Sequence, residues 1–166
     1  MTDFTLTPAA LPGISEREAI ADVMYRVAQA YDTGDVNFLD SAFTQDATFE
    51  LAGNVMNGLD AVKANSFNPV AKMDTTHLIG NMRVNWKEGD TKASLSCTAM
   101  AQHYRAGEGH KEGATFFMTG CLYYLDVVKD ETTAGLWKAS TWKVKIIWRE
   151  GDIGAIKGVN AALIKS

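Results

Sequence analysis

Apolar positions along the first third of the chain recur with a helical period. Between residues 15 and 33 they are spaced three or four apart, which predicts one amphipathic helix. Ser15 and Glu18 have the spacing of a capping box, and Gly34 is typical of a helix end. The sequence therefore predicts a first helix with a buried stripe and defined ends.

Shorter elements are predicted between this helix and residue 76. Asp35 is the expected cap of a second helix over residues 36–43. A strand is predicted over residues 47–53, followed by a turn or hairpin, and a third helix over residues 59–67 that Pro69 stops. All the predicted helices therefore lie in the N-terminal half.

From residue 76 the apolar positions alternate with period two, which is typical of β-strands. Four long segments have this pattern, and short turns rich in Gly, Asp and Glu separate them: 76–86, 92–106, 115–129 and 136–150. Hairpin connections of this length predict neighbouring antiparallel strands.

Helices followed by strands indicate an α+β fold. We expect a strongly curved, mainly antiparallel (mixed) sheet with about three helices packed on its concave face, which would leave a cone-shaped barrel with an interior. Residues 1–13 are expected to form an N-terminal arm and residues 14–150 the domain. Residues 151–166 are expected to form a C-terminal tail or short helix that could cover the pocket.

Composition and charge narrow the possible partners. The 166 residues have 46% apolar side chains and a formal net charge of -4, without a basic stripe, so a nucleic-acid partner is not expected. No run of 18 apolar residues indicates a membrane span, and the N-terminus lacks the basic region of a signal peptide. Cys97 and Cys121 lie in apolar strands without metal-ligand spacing, which indicates buried free thiols, no metal site, and a reducing, cytoplasmic location.

A few polar side chains fall where a core is expected. In the strand over residues 93–104, His103 ends a row of small apolar side chains that suit a cavity better than a tight core. His77 begins another strand, and alternation puts Asn81 on its face. Tyr31 and Asp32 end the first helix at the edge of its apolar stripe. Taken singly, each has an ordinary structural explanation; together they are candidates for one pocket.

Three segments, "VAQAYDTGDVNFL", "DTTHLIGN" and "AQHYRA", carry a family resemblance by their order and spacing. They resemble the SnoaL-like group of the nuclear-transport-factor-two-like superfamily, in which scytalone dehydratase-like enzymes are the nearest in pattern. The resemblance covers about residues 14–150. It implies a cone-shaped α+β barrel with an apolar pocket at its open end, and a homo-oligomer, either dimer or trimer.

The resemblance also implies a site. Tyr31 and Asp32 match a Tyr-Asp pair, and His77 and His103 match two strand histidines, with Asp32 paired to His103. These four are the expected catalytic residues. The expected substrate-binding residues are Asn81, Phe49, Leu51, Cys121, Tyr123, Phe117 and Trp148. Two positions depart from the dehydratase: "TFEL" replaces a segment with a second pocket tyrosine, so that only Glu50 there could act as an acid, and Cys121 stands near an expected asparagine.

These expectations converge on a cofactor-free lyase or isomerase, dehydratase-like in its chemistry. It would act on a small apolar carbonyl compound of secondary metabolism, polyketide-like or terpenoid-like, with His103 exchanging protons and Asp32 stabilising its cation. Tyr31 and His77 would polarise the carbonyl or hold a water. Two alternatives stay open at this point: a biosynthetic cyclase or rearrangement catalyst with the same pocket, and a non-catalytic module that binds apolar ligands.

Overall fold

The first two helices have the predicted ends. The computed structural model describes residues 5–133 and 135–156. Helix α1 spans Glu16–Thr33, and both hydrogen bonds of the Ser15–Glu18 capping box are present. Gly34 ends α1 with φ 72°, a left-handed conformation that glycine adopts at little cost. Helix α2 spans Val36–Ala42, and the side chain of Asp35 accepts from the Phe38 N–H.

The third helical stretch continues past its predicted end. It consists of α3 (Leu59–Val62), a π-helical turn (Lys63–Phe67) and α4 (Asn68–Val70). The prediction that Pro69 stops the helix was wrong. Pro69 lies in the first turn of α4, directly after the π-helical turn, and the helical backbone continues through it to Val70.

The strands form one mixed sheet that does not close on itself. Its strands are β1 (Phe43–Leu51), β2 (Asn54–Asn57), β3 (Asp74–Asn85), β4 (Lys92–Tyr104), β5 (Phe116–Asp130) and β6 (Leu136–Gly151). The order across the sheet is β2-β1-β6-β5-β4-β3, and only the β1–β6 pair is parallel. The predicted α+β fold, with helices packed on a curved sheet, is confirmed.

The core lies between the helices and the inner face of the sheet. Ile20, Val23 and Val27 on α1 are fully buried against that face. Arg26 lies among them, 1% exposed; it pairs with Asp22 and donates to the carbonyls of Trp137 and Ser41. A buried guanidinium with several acceptors is satisfied, and it ties α1 to α2 and β6.

The outer face of the sheet carries exposed apolar side chains: Leu78, Met100, Leu122, Tyr124, Ile147 and Trp148. The predicted homo-oligomer stays a prediction, which light scattering of the purified protein would measure. In the described ranges no helix has both the length and the apolar character needed to cross a bilayer.

Residues 151–166 were predicted as a C-terminal tail or a short helix. Its first part forms a 3₁₀ helix, Ile153–Ile156, in which Ile156 is buried. Arg105 donates to the carbonyl of Gly154 and thereby fixes this turn to the end of β4. The rest of the predicted tail, like the first four residues of the predicted arm, lies outside the described residues.

Candidate active site

A cavity of about 70 Å³ lies between the helices and the inner face of the sheet. Its wall is mainly apolar, and three of the four predicted catalytic residues line it: Tyr31, His77 and His103. Five of the predicted substrate-binding residues are also in its wall: Phe49, Leu51, Phe117, Cys121 and Tyr123. The structure therefore brings most of the predicted site together, while the roles of these residues stay predictions.

Asp32 does not line the cavity but hydrogen-bonds to His77, which does. Its Oδ1 lies 2.6 Å from His77 Nδ1, and its Oδ2 accepts from the His77 backbone N–H at 2.8 Å. Thr75 Oγ1 donates to Oδ1 at 2.9 Å. Because a carboxylate only accepts, Nδ1 of His77 carries the hydrogen and Nε2 keeps its lone pair. Three donors thus fix the carboxylate, and the carboxylate fixes the tautomer.

The implied pairing of Asp32 with His103 was wrong. The hydrogen bonds of Asp32 go to Thr75 and His77, which both lie at the start of β3, next to the end of α1. His103 instead has its Nδ1 3.3 Å from the carbonyl of Phe117, on the neighbouring strand β5. A carbonyl also only accepts, so Nε2 of His103 is a second basic nitrogen.

The two imidazoles are in contact and differ in their electrostatics. Their ring centroids are 5.6 Å apart and their planes are nearly perpendicular. Burial, followed by the charge of a protonated His77, lowers the pKa of His103 to about 4, against the opposing effects of the Phe117 carbonyl and Asp32. His103 is therefore neutral at neutral pH, and of the two rings it is His77 that has a carboxylate to stabilise its cation.

This lowered pKa predicts a measurable loss of stability in acid. A histidine with a folded pKa near 4 binds fewer protons than its unfolded form, whose pKa is near 6.5. Its contribution to the free energy of unfolding is thus complete above pH 6.5 and falls by about 3 kcal/mol as the pH drops to about 4. We expect urea unfolding of His103→Gln to show a weaker pH dependence than wild type between these values. His110→Gln, in an exposed loop, is the control; parallel curves for wild type and His103→Gln would contradict the assignment.

Tyr31 supplies a hydroxyl donor beside the histidines. Its ring centroid is 5.9 Å from that of His77, and its hydroxyl is 2.8 Å from Ser66 Oγ. Burial raises the pKa of Tyr31 well above its usual value, so the phenol keeps its proton. If Ser66 donates to Tyr31, the phenolic O–H is available to an oxygen in the cavity.

Asp32 also borders a second, open cleft of about 400 Å³ on the other side of the wall. Thr75, Tyr104 and His110 line this cleft with it. The side chain of Asp32 is 20% exposed and that of His77 is 9% exposed. The Asp32–His77 pair therefore spans the wall between the buried cavity and solvent.

Asn81 does not face the cavity, contrary to the prediction. A register shift between Gly80 and Arg83 interrupts the β3–β4 pairing, and Asn81 has φ 51° at this bulge. Its side chain donates to Thr98 Oγ1, and it borders a groove of about 790 Å³ that is distinct from the cavity. A bulge adds one residue and reverses which face the following side chains occupy.

Trp148 was also placed on the wrong face. The β5–β6 register shifts at Gly120, so that Cys121 pairs with Ile146 and Gly120 with Trp148. A Cβ built on Gly120 would meet the Trp148 ring at 2.1 Å, which shows that the indole covers this glycine. Gly120 alternates with the inward residues Thr119 and Cys121, so Trp148 lies on the outer face, 41% exposed.

Three polar residues of the cavity wall were missed: Ser66, Thr119 and Trp142. The period-two pattern could have found Thr119, which shares a face with Phe117 and Cys121, and Trp142, which shares one with Val144 and Ile146. No sequence signal marks Ser66, because the π-helical turn that points it inward cannot be inferred from hydrophobic spacing.

The acidic, thiol and imidazole groups of residues 5–133 and 135–156 form no cluster of three or more suited to a metal ion. Cys97 and Cys121 are both buried and unpaired, as predicted. Burial raises the pKa of both thiols, to about 12 for Cys97, which makes them poor nucleophiles. The remaining titratable groups at the site are His77, His103 and Asp32, with the phenols Tyr31 and Tyr123, and burial raises the pKa of Tyr123 as it does that of Tyr31.

Comparison with known proteins gives a consistent picture. A family profile described as "SnoaL-like domain" matches residues 13–143. A protein of Penicillium crustosum called terrestric acid biosynthesis cluster protein E is 48% identical over 141 residues, covering 85% of this chain and 89% of the relative.

Among solved structures, a candidate scytalone dehydratase from Novosphingobium aromaticivorans has a TM-score of 0.69 at 21% identity, covering 82% of this chain and 87% of that one. A type 2 hexachlorocyclohexane dehydrochlorinase has a TM-score of 0.65 at 19% identity, covering 83% and 89%. The two structures share the fold.

Proposed function

The chain belongs to the SnoaL-like family, and on that premise we propose that it is a cofactor-independent lyase or isomerase acting on a small apolar carbonyl compound. The observation that carries the proposal is the Asp32–His77 hydrogen bond, with the imidazole in the wall of an apolar cavity. The name of the Penicillium relative supports a substrate from secondary metabolism, such as a polyketide-like or terpenoid-like molecule.

His77 is the proposed base. Its Nε2 removes a proton from the carbon next to the substrate carbonyl, and the C–H electrons move into an enolate. The Asp32 carboxylate, 2.6 Å from Nδ1, stabilises the imidazolium that forms and keeps the ring in the reactive tautomer. A positioned acid–base group typically contributes about 10²–10⁴ to the rate.

Tyr31 is the proposed donor to the enolate oxygen. Its raised pKa keeps the hydroxyl protonated, and its ring lies beside His77. A donor aimed at the developing oxyanion stabilises the transition state more than the ground state. His103, neutral at neutral pH, orients a substrate hydroxyl or a water by accepting a hydrogen bond from it at Nε2.

The enolate can proceed in two ways. In a dehydration, the bond between the β-carbon and its hydroxyl breaks, and the leaving oxygen takes the proton from the His77 imidazolium, giving an enone and water. In an isomerisation, the imidazolium returns the proton to the γ-carbon of a conjugated enolate, and the double bond shifts. Both outcomes restore neutral His77, so no external oxidant or reductant is needed.

Simple ketones test this proposal before the natural substrate is known. We expect wild-type protein to exchange the α-protons of cyclohexanone for deuterium, measured by NMR in heavy water, faster than free imidazole at equal concentration. It should also convert 3-cyclohexenone or 3-hydroxycyclohexanone into the same conjugated enone, which distinguishes isomerase from lyase chemistry. Binding of these ketones without any exchange would refute the enzymatic proposal in favour of a ligand-binding module.

A further inference from the structure

Trp142 has an indole N–H without a partner. The residue lies on β6, is 4% exposed and forms part of the cavity wall. Its Nε1 is sealed from water and donates no hydrogen bond to any group in residues 5–133 and 135–156. The other buried tryptophan differs: Nε1 of Trp137 donates to a Glu16 carboxylate oxygen at 2.7 Å. Trp142 therefore keeps a donor that no group of the described residues uses.

An unsatisfied buried donor is unfavourable and needs an explanation. The packing of Trp142 does not require the nitrogen, because its ring stacks on Phe49 with centroids 4.1 Å apart and planes 10° apart. A phenylalanine would retain an aromatic stack at this position without burying a polar group. The unpartnered N–H thus makes the folded protein less stable, and an acceptor oxygen on a bound molecule would remove this cost.

Trp142 lies apart from the histidines in the same wall. Tyr31 stands between them, with its ring centroid 5.9 Å from that of Trp142 and 5.9 Å from that of His77. One ring system spanning the cavity could therefore approach His77 with one end and Trp142 with the other. A cavity of about 70 Å³ must widen for such a ligand. Because Nε1 of Trp142 is itself sealed from water, an acceptor oxygen reaches it only when the cavity widens.

We propose that Trp142 Nε1 donates a hydrogen bond to a second oxygen of the ligand, so that the site selects an apolar molecule with acceptor oxygens at both ends. This inference deepens the proposed function and rests on it for the oxygen at the histidine end. The matching ligand class is a cyclic dicarbonyl or keto-lactone rather than a monoketone. Trp142 is a specificity-determining residue in this scheme, whereas His77 and Asp32 move the proton.

The competing account is an N–H···π contact inside the protein. The Tyr123 and Tyr31 rings make edge contacts with Trp142 at centroid distances of 5.3 Å and 5.9 Å. Such contacts are weaker than a hydrogen bond to oxygen, but they would give the N–H a resident partner. The two accounts predict different responses to a ligand that carries an acceptor and to one that does not.

The first experiment compares matched ligands by NMR of the indole N–H groups, assigned with Trp→Phe variants. We expect 1,4-cyclohexanedione to shift the Trp142 resonance downfield, and methylcyclohexane not to. Trp142→Phe should weaken dione binding about five- to tenfold, the loss of one hydrogen bond, and weaken methylcyclohexane binding less, because that ligand loses only apolar contact. Trp148→Phe, on the outer face, is the control. If the chemical shift of the Trp142 indole N–H does not change at saturating 1,4-cyclohexanedione, the proposal is wrong.

The second experiment needs no ligand. Trp142→Phe and Trp137→Phe make the same chemical change at two buried positions, one without an acceptor and one bonded to Glu16. Both variants lose the same part of a buried ring, but only Trp137→Phe also breaks a hydrogen bond, so we expect the urea midpoint to drop further for Trp137→Phe than for Trp142→Phe. An equal drop would show that the Trp142 N–H already has a partner. Neither the indole N–H shift nor the urea midpoint depends on turnover. If ketone exchange fails but Trp142 still responds to the dione, the proposed enzymatic function is wrong and the Trp142 proposal stands. If exchange occurs but Trp142 does not respond, only the Trp142 proposal is wrong.

Discussion

Asp32→Asn is expected to slow the deuterium exchange of cyclohexanone by about 10²–10⁴-fold while leaving cyclohexanone affinity nearly unchanged. The asparagine keeps the size of the side chain but loses the charge that stabilises the His77 imidazolium. Its amide can also donate to Nδ1, which would move the ring hydrogen to Nε2 and remove the basic lone pair. Both effects act on the proton-transfer step rather than on binding.

The matched control is Asp46→Asn, which removes one negative charge from an exposed position of β1 without altering the cavity. Its exchange rate should equal that of wild type. The two variants carry the same net charge, so any difference between them reports the position of the carboxylate. If Asp32→Asn exchanges cyclohexanone protons at the wild-type rate, His77 is not the base, and the mechanism must be reassigned to His103 or abandoned.

Gly151→Ala is expected to lower the free energy of unfolding by about 4 kcal/mol, among the larger effects of a single substitution. Gly151 has φ 87°, where an alanine is strained, and a Cβ built there would lie 2.3 Å from the Phe116 carbonyl oxygen. Because that oxygen belongs to the backbone of β5, the clash can be relieved only by moving the strand. The next residue, Phe117, holds His103 through its carbonyl, so the site should be disturbed as well.

Gly53→Ala separates the two contributions to this effect. Gly53 has φ 80°, but no atom of the described residues lies within 4 Å of a Cβ built on it. The free energy of unfolding of Gly53→Ala, measured by chemical denaturation, should therefore fall only by the strain of an alanine at positive φ, about 1–2 kcal/mol. If Gly151→Ala costs no more than Gly53→Ala, the close approach between β6 and β5 at this point is not rigid.

Some parts of the fold could be predicted because their causes are local. The Ser15–Glu18 capping box and the Asp35 cap are hydrogen bonds between residues three apart, so the sequence specifies both partners. The row of small residues ending at His103 lies on an unbroken stretch of β4, where alternation gives the correct inward face. These predictions required no knowledge of distant neighbours.

The misplaced residues follow the two bulges. On β3, the inner-facing apolar series passes from Ile79 to Met82, an odd step that a strict alternation does not allow. On β6, the consecutive apolar residues Ile146, Ile147 and Trp148 carry the same ambiguity. In both strands the sequence shows that the apolar positions change from odd to even numbers or the reverse. Whether the strand bulges, and at which residue, depends on the pairing of β3 with β4 and of β6 with β5.

By itself the sequence determined the order of helices and strands, the caps, and the inward faces of the unbroken strands, because each depends on residues close in the chain. Only the tertiary structure decided the partner of Asp32, since the carboxylate at the end of α1 could reach either histidine until the packing of α1 against β3 brought His77 and Thr75 within hydrogen-bond distance. The same holds for Trp142, because whether its N–H finds an acceptor depends on the position of every group packed around it, and none of the described residues supplies one. Long-range packing sets such distances, and no local pattern encodes them.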